Sequence, residues 1–222
     1  MSPVTTSANC CGVADVFDEK HARGDLDAYR KRGPSASTAR LLSALRAVGQ
    51  PFDTLLDVGG GVGAIGHEML ASGGVSRATL VDGSTAYLAA AREESERRAT
   101  GDVFHARFGD LVEIADDVEP ADVVTLDKVV CCYPDMDALL TVSAARARRL
   151  YGIVYPHDGW WVRAGIALEN RWRKWRGGTF RGYAHSNAAI DEALRRAGLV
   201  PRFRERGAWW VVAVYERRGA LA

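Results

Sequence analysis

Two aspartates and a cluster of glycines define the chemistry open to this chain. Asp57 ends an apolar run, and Gly59, Gly60, Gly61, Gly63 and Gly66 follow it. Glycines accept φ > 0 and let a ligand lie against bare backbone. A helix opening behind them presents unpaired N–H groups to that ligand. About 20 residues further on, where a ribose-binding acid stands in nucleoside folds, the next apolar run ends in Asp82. Its carboxylate can accept from ribose hydroxyls, with Gly83 and Ser84 beside it. Asp57 lies where it would attract a cationic ligand and repel a pyrophosphate. A third run ends in Gly109-Asp110-Leu111, where a short carboxylate can accept from the amino group of a base.

Other residues are candidates for the reaction itself. Asp127-Lys128 leaves a fourth apolar run, where Lys128 can steer an anion or donate a hydrogen bond. Tyr133, before Pro134 and Asp135, can wall the reacting centre. His157, just after a fifth run, is placed to act as a general base, and His185 can enter the same pocket. Trp160, Trp161, Trp172, Trp175 and Tyr183 interleave with Arg163, Arg171, Arg173, Lys174 and Arg176. That mixture suits a cover that stacks on a planar or acidic small molecule, or an amphipathic helix with its tryptophans in the core. Trp209 and Trp210 are expected to pack within the last strand. Cys131-Cys132 and Cys10-Cys11 are adjacent pairs whose side chains diverge, so no metal site is expected.

The elements that must position these residues alternate. Apolar, β-branched strands are predicted at 54–58, 78–82, 103–108, 122–126 and 151–155, and helices at 62–71, 84–98 and 136–148. Strands apolar on both faces imply a parallel sheet covered by helices on each side. The fold class is therefore α/β, doubly wound, with a ligand at the carboxyl ends of the strands. A helix at 187–197 and strands at 202–206 and 209–215 form a closing antiparallel hairpin. Upstream, 13–31 reads as one or two amphipathic helices and 38–48 as another, with Ser35 or Ser37 as cap and Gly49-Pro51 as stop. Residues 1–12 are expected to be loosely held.

The chain has 222 residues, 47% hydrophobic and 26% charged, enough for one sizeable core. A net charge of +1 and basic residues mixed with acids speak against a nucleic-acid partner. No apolar run is long enough to span a bilayer, no signal pattern opens the chain, and no secreted disulfide framework is visible, so a cytoplasmic protein with no membrane partner is expected.

At these residues the chain resembles the class I S-adenosylmethionine (SAM)-dependent methyltransferases, over about residues 36–156. LLDVGGGVGAIG is similar to that family's first motif, LVDGS to its ribose-binding acid, FGD to its adenine-binding acid, and VVTLDKVVCCY to its segment after the fourth strand. A more remote similarity is to magnesium-protoporphyrin O-methyltransferases, although no histidine precedes Tyr133 here. The resemblance implies a seven-stranded, mostly parallel sheet with an antiparallel C-terminal strand, and SAM as cofactor with S-adenosylhomocysteine (SAH) as product. It implies a cofactor site of Asp57, Gly59, Gly61, Asp82, Asp110 and Asp127. It further implies an N-terminal helical lid at 1–35, from which Tyr29 and Arg32 reach the cofactor carboxylate. The remaining 36–222 is one SAM-binding domain, with a substrate-covering insertion at about 157–186. The activity expected is methyl transfer to an O or N nucleophile of a small molecule, in specialised metabolism, by a chain that can form a homodimer. The alternatives are a SAM-binding protein of the same fold with a non-methylating or non-catalytic role, and an NAD-dependent oxidoreductase, against which Asp57 and the closing hairpin argue.

Overall fold

Helix propensity, capping and alternation of apolar residues account for the elements found in a computed structural model, which describes residues 16–49 and 51–219. The expectations for 1–12, including Cys10 and Cys11, lie outside the described residues. Helix α1 (Glu19–Arg32) is capped by Asp18, whose carboxylate accepts from the His21 N–H. Glu19 stands in its first turn and Arg30, Lys31 and Arg32 in its last, matching the helix dipole. Gly33 ends it at φ 74°. Helix α2 (Ala36–Ala47) is capped by Ser35 and buries Leu41, Leu42 and Leu45.

An alternating run follows: β1 (Phe52–Val58), α3 (Ala64–Ala71), β2 (Val75–Asp82), α4 (Thr85–Arg97), β3 (Phe104–Phe108) and the short α5 (Leu111–Ile114). Then come β4 (Ala121–Asp127), α6 (Met136–Ala145), β5 (Ala147–Pro156), α7 (Trp160–Trp175), α8 (Asn187–Arg196), β6 (Leu199–Arg206) and β7 (Trp210–Arg217). The strands form one sheet in the order β3-β2-β1-β4-β5-β7-β6. β1 to β5 pair in parallel, and β7 runs antiparallel between β5 and β6. The doubly wound class and the closing antiparallel strand are as the sequence indicates.

Two cores form because successive strand residues face opposite sides. Leu55, Leu80, Val123 and Val154 pack with Leu41, Leu45, Met69 and Leu88 on one face. Their neighbours Leu56, Val81, Val124 and Ile153 pack with Leu139, Leu140 and Leu194 on the other. Since the chain winds outward from β1 to β3 and then returns to β4, the topological switch lies between the carboxyl ends of β1 and β4. That crevice is the ligand position of such a sheet.

Several boundaries depart from the sequence reading, β1, β2 and β6 beginning earlier than expected at Phe52, Val75 and Leu199. The helix expected over 136–148 stops at Ala145, and β5 begins at Ala147, paired with Ala121. The run Ala-Arg-Ala-Arg-Arg has good helix propensity. Pairing with β4 overrides it, and the Arg217 guanidinium takes up the carbonyls of Ala144 and Ala147. Trp209 sits in the β6–β7 turn rather than in the strand, with its ring 5.3 Å from that of Trp161.

Helix α1 is tied to α4 by a buried carboxylate. Glu94 is fully buried and accepts from Arg30 at 2.9 Å, Arg97 at 2.6 Å and Arg98 at 2.6 Å. Those donors hold its carboxyl far below the usual range, the hydrogen bond from Arg97 being the largest influence.

Candidate functional site

A cavity of about 710 Å³ opens at the carboxyl ends of β1, β2 and β4, roofed by α1 and the α1–α2 link. Its floor is the turn after β1. Gly59, Gly61 and Gly63 adopt φ of 60°, 59° and 75°, which L side chains rarely take. A Cβ on Gly59 would lie 2.7 Å from a Val129 methyl, and one on Gly60 would lie 2.1 Å from the Asp57 carboxylate. The bare turn is thus demanded from below as well as from the ligand side.

Asp82 lines the cavity and accepts from Gly61 N–H at 3.0 Å and Ser84 N–H at 2.8 Å, which fixes the carboxylate while leaving it acceptor capacity. Burial raises its pKa. Asp57 does not line the cavity. It lies buried beneath the turn, accepting from Thr125 Oγ1 at 2.7 Å, and its Oδ2 has no hydrogen-bond partner among the described residues. Burial, reinforced by the charges of Asp127 and Asp82, pushes its pKa up to about 7. The expectation that Asp57 meets a ligand directly is therefore corrected: its carboxylate lies beneath the glycine turn, outside the cavity lining.

At the β3 end, Gly109, Asp110 and Leu111 line the cavity as expected. Asp110 caps α5 through Val112 N–H and also accepts from the Tyr133 hydroxyl at 2.8 Å. Tyr133 therefore stands beside the acid expected to meet the base, not apart from it. Ser84 is the N-cap of α4 and donates to the Phe17 carbonyl at 2.7 Å, so it lies behind the rim while Gly83 lines it.

Asp127 and Lys128 line the β4 side. Lys128 is a non-glycine residue at φ 64°, a conformation retained where the surroundings over-determine it. Its ammonium donates to Ser35 Oγ at 2.9 Å, and Thr38 Oγ1 donates to Asp127 at 2.5 Å. The cap of α2 is thereby fastened to the rim, a role the sequence reading had not given Ser35 or Thr38. Arg32 and Tyr29 both line the cavity. The Tyr29 hydroxyl donates to Glu68 at 2.7 Å and accepts from Arg98 at 2.9 Å, so it is committed within the wall. Phe17 and Tyr87 complete the roof, Tyr87 donating to Asp25. Their signal in the sequence was only apolar spacing.

Neither histidine candidate lines the cavity. His157 is buried, and its Nδ1 receives the Gly159 N–H at 3.0 Å and an Arg206 N–H at 3.2 Å. Nε2 must then carry the proton, which it donates to Ala208 O at 2.8 Å. No lone pair is left to act as a base. His185 lies with its Nε2 at 3.0 Å from Tyr133 O and its ring stacked on Tyr183. The tryptophans of α7 line neither the cavity nor the core: Trp160, Trp172 and Trp175 are exposed. Cys132 lines the cavity with its sulfur 3.8 Å from that of Cys131, and their mutual hydrogen bond raises the Cys131 thiol pKa and lowers that of Cys132. Among the described residues, no three His, Cys, Asp or Glu side chains converge as a metal site.

Residues 56–151 match the model of a methyltransferase domain. Among curated proteins, no sequence matches the chain. Solved structures match it over most of its length. A magnesium protoporphyrin IX methyltransferase from Synechocystis PCC 6803, with bound SAH, aligns at a TM-score of 0.70 and 18% identity over 92% of this chain and 98% of that one. An O-methyltransferase family protein from Burkholderia thailandensis gives 0.71 and 16% over 94% of this chain and 63% of that one. A geranyl diphosphate C-methyltransferase from Streptomyces coelicolor gives 0.65 and 15% over 81% and 77%. At such identities the structural likeness speaks for the fold, and the domain model speaks for residues 56–151. Together with the strand order, they show a methyltransferase domain over residues 56–151 set in a Rossmann-like methyltransferase fold.

Proposed function

We propose that the cavity binds SAM and that the chain transfers its methyl group to an oxygen or nitrogen of a small molecule in specialised metabolism. The observation that carries this reading is the convergence of Asp82, Asp110 and the bare Gly59–Gly61 turn on one cavity large enough for a nucleoside with its amino-acid arm. The residues fit the group: a half-buried carboxylate, Asp82, for ribose hydroxyls, a second, Asp110, for the adenine amine, and Asp127 across the cavity where acid favours a cation. When bound, SAM would supply an activated methyl on a sulfonium: an acceptor lone pair would form its bond to that carbon in line with the breaking C–S bond, with SAH as the leaving group.

The chain's own contribution is then binding and alignment, which can supply much of the acceleration. Asp82 orients the ribose, Gly59 and Gly61 expose backbone to the amino-acid arm, and Arg32 takes its carboxylate. Asp110, held by Tyr133, reads the adenine. Asp57, its pKa pushed up to about 7 by burial, supports the turn from beneath. Lys128, fixed in its left-handed conformation, offers positive charge beside the transfer position, which suits an acidic acceptor. The roof formed by α1 and the α1–α2 link excludes water. A non-catalytic SAM-binding role is favoured by one observation: both histidines lie off the cavity wall. A methylation assay with labelled SAM across hydroxyl, amine and carboxylate acceptors separates the two.

Isothermal titration tests the binding itself. SAM and SAH are expected to bind and NAD to be silent. Replacing Asp82 by alanine should weaken SAM by about ten- to a hundredfold, the worth of charge-assisted hydrogen bonds. Binding of NAD in place of SAM would overturn the proposal.

A further inference from the structure

Helix α7 is sixteen residues long, yet Val162 is its one buried residue. Its attachments to the rest of the chain are few: Trp161 packs edge-on to His157 and Trp209, and the Asn170 side chain pairs with the Gly182 backbone. One side of the helix is apolar and open. Trp160 is 81% exposed, Leu168 70%, Trp172 51% and Trp175 83%. At 100° per residue, Trp160, Ala164, Trp175, Leu168 and Trp172 share one arc of the helix with Arg171, and Trp161 leaves the same arc to reach Trp209. A stripe of large apolar side chains on a face that covers no core marks an interaction surface.

The charges around the stripe specify its partner. Arg163, Arg171, Lys174 and Arg176 are exposed beside it. The helix's one carboxylate, Glu169, is engaged by Arg173 at 2.6 Å. Arg171, Lys174 and Arg181 also border a shallow depression floored by Ala164, Ala167 and Leu168. A second copy of the chain fits poorly here, because two-fold packing sets this basic, apolar face against its own image. We propose that α7 docks on an anionic lipid bilayer, lying in the headgroup layer with its tryptophans in the acyl boundary and its arginines and lysine among the lipid phosphates. The net charge of +1 conceals this face because the balancing acids lie elsewhere in the chain. Docking of this kind needs no spanning helix, and no helix among the described residues is long and apolar enough to cross a membrane. It does not depend on which reaction the cavity performs.

Co-sedimentation of the full-length chain with sucrose-loaded vesicles tests it. Vesicles of phosphatidylcholine with phosphatidylglycerol should bind the chain, with a blue shift of tryptophan emission, and phosphatidylcholine alone should bind it weakly. The double variant Arg171→Glu/Lys174→Glu should lose at least about tenfold in partition to the anionic vesicles, since each basic residue near such a surface is worth roughly fivefold. The triple variant Trp160→Ser/Trp172→Ser/Trp175→Ser should lose binding and the blue shift, while SAM titration, which reads the cavity, stays unchanged. Absence of binding to anionic vesicles, or equal binding by the double variant, overturns the proposal. So does a dimer in sedimentation velocity that the triple variant abolishes while the intact chain ignores vesicles.

Discussion

Two buried titratable groups beneath the cavity oppose each other in their effect on stability. His67 is buried between Phe104 and Tyr29, with no side-chain hydrogen-bond partner for its ring nitrogens among the described residues, and burial pulls its pKa from 6.5 down to about 4. Between those values the unfolded chain holds a proton on this histidine that the folded one lacks, so stability gained from His67 rises with pH and is lost on acidification. Asp57 does the reverse. Its folded pKa of about 7 lies above the ordinary 3.8, so the folded chain holds the extra proton and stability falls as pH rises across that window. Each slope is about 1.4 kcal/mol per pH unit, and over the shared range they nearly cancel. Denaturant melts of Asp57→Asn between pH 4 and 6.5 should therefore show stability rising with pH. Melts of His67→Leu should show it falling. Parallel profiles in the two variants would refute the opposition. The same scale explains why Asp57 was legible as an acid of the site but not as one hidden under it. Sequence places it at a strand tip, and only the inward-facing pleat beside Thr125 decides that it points beneath the turn.

Among elements, α1 depends on α4. Its own buried residues are Ala22, Leu26 and Tyr29, a modest apolar face, and its polar attachments to α4 include Arg30 on the buried Glu94, which Arg97 and Arg98 of α4 and its C-cap also hold. Replacing Glu94 by glutamine removes the carboxylate shared by the three guanidinium groups, of which Arg30 keeps Glu93 and Arg98 keeps Glu68, and should cost about 1–2 kcal/mol. Because α1 roofs the cavity through Tyr29 and Arg32, hydrogen exchange should quicken in Glu19–Arg32 before it does in the strands. Uniform acceleration across the chain would show instead that α1 is not a separable unit. The element boundaries that periodicity misplaced, at Ala145 and Ala147, were decided by pairing with β4 and by Arg217 from the far end of the chain. Local propensity carries no information about either partner.

For the molecule as a whole, the cavity joins residues from α1, the α1–α2 link and the tips of β1, β2, β3 and β4, so a bound ligand braces both halves of the chain. A ligand that binds only the folded state at a hundred times its Kd adds about 3 kcal/mol to stability. SAH at that excess should raise the melting temperature by several degrees in one cooperative transition, whereas NAD should leave it unmoved. A shift confined to one of two separate transitions would mean that α1 and the sheet unfold apart.

The sequence by itself determined the alternation of strands and helices, the doubly wound class and the order of acids and glycines along the rim. Each of these follows from short-range periodicity and from the backbone freedom of glycine. Only the tertiary structure decided which carboxylates face the cavity, that His157 spends both ring nitrogens on its own neighbourhood, that Ser35 and Thr38 fasten the rim, and that the tryptophans of α7 face outward. Those outcomes depend on partners distant in the chain, and no spacing rule within one segment encodes which face a neighbour will cover.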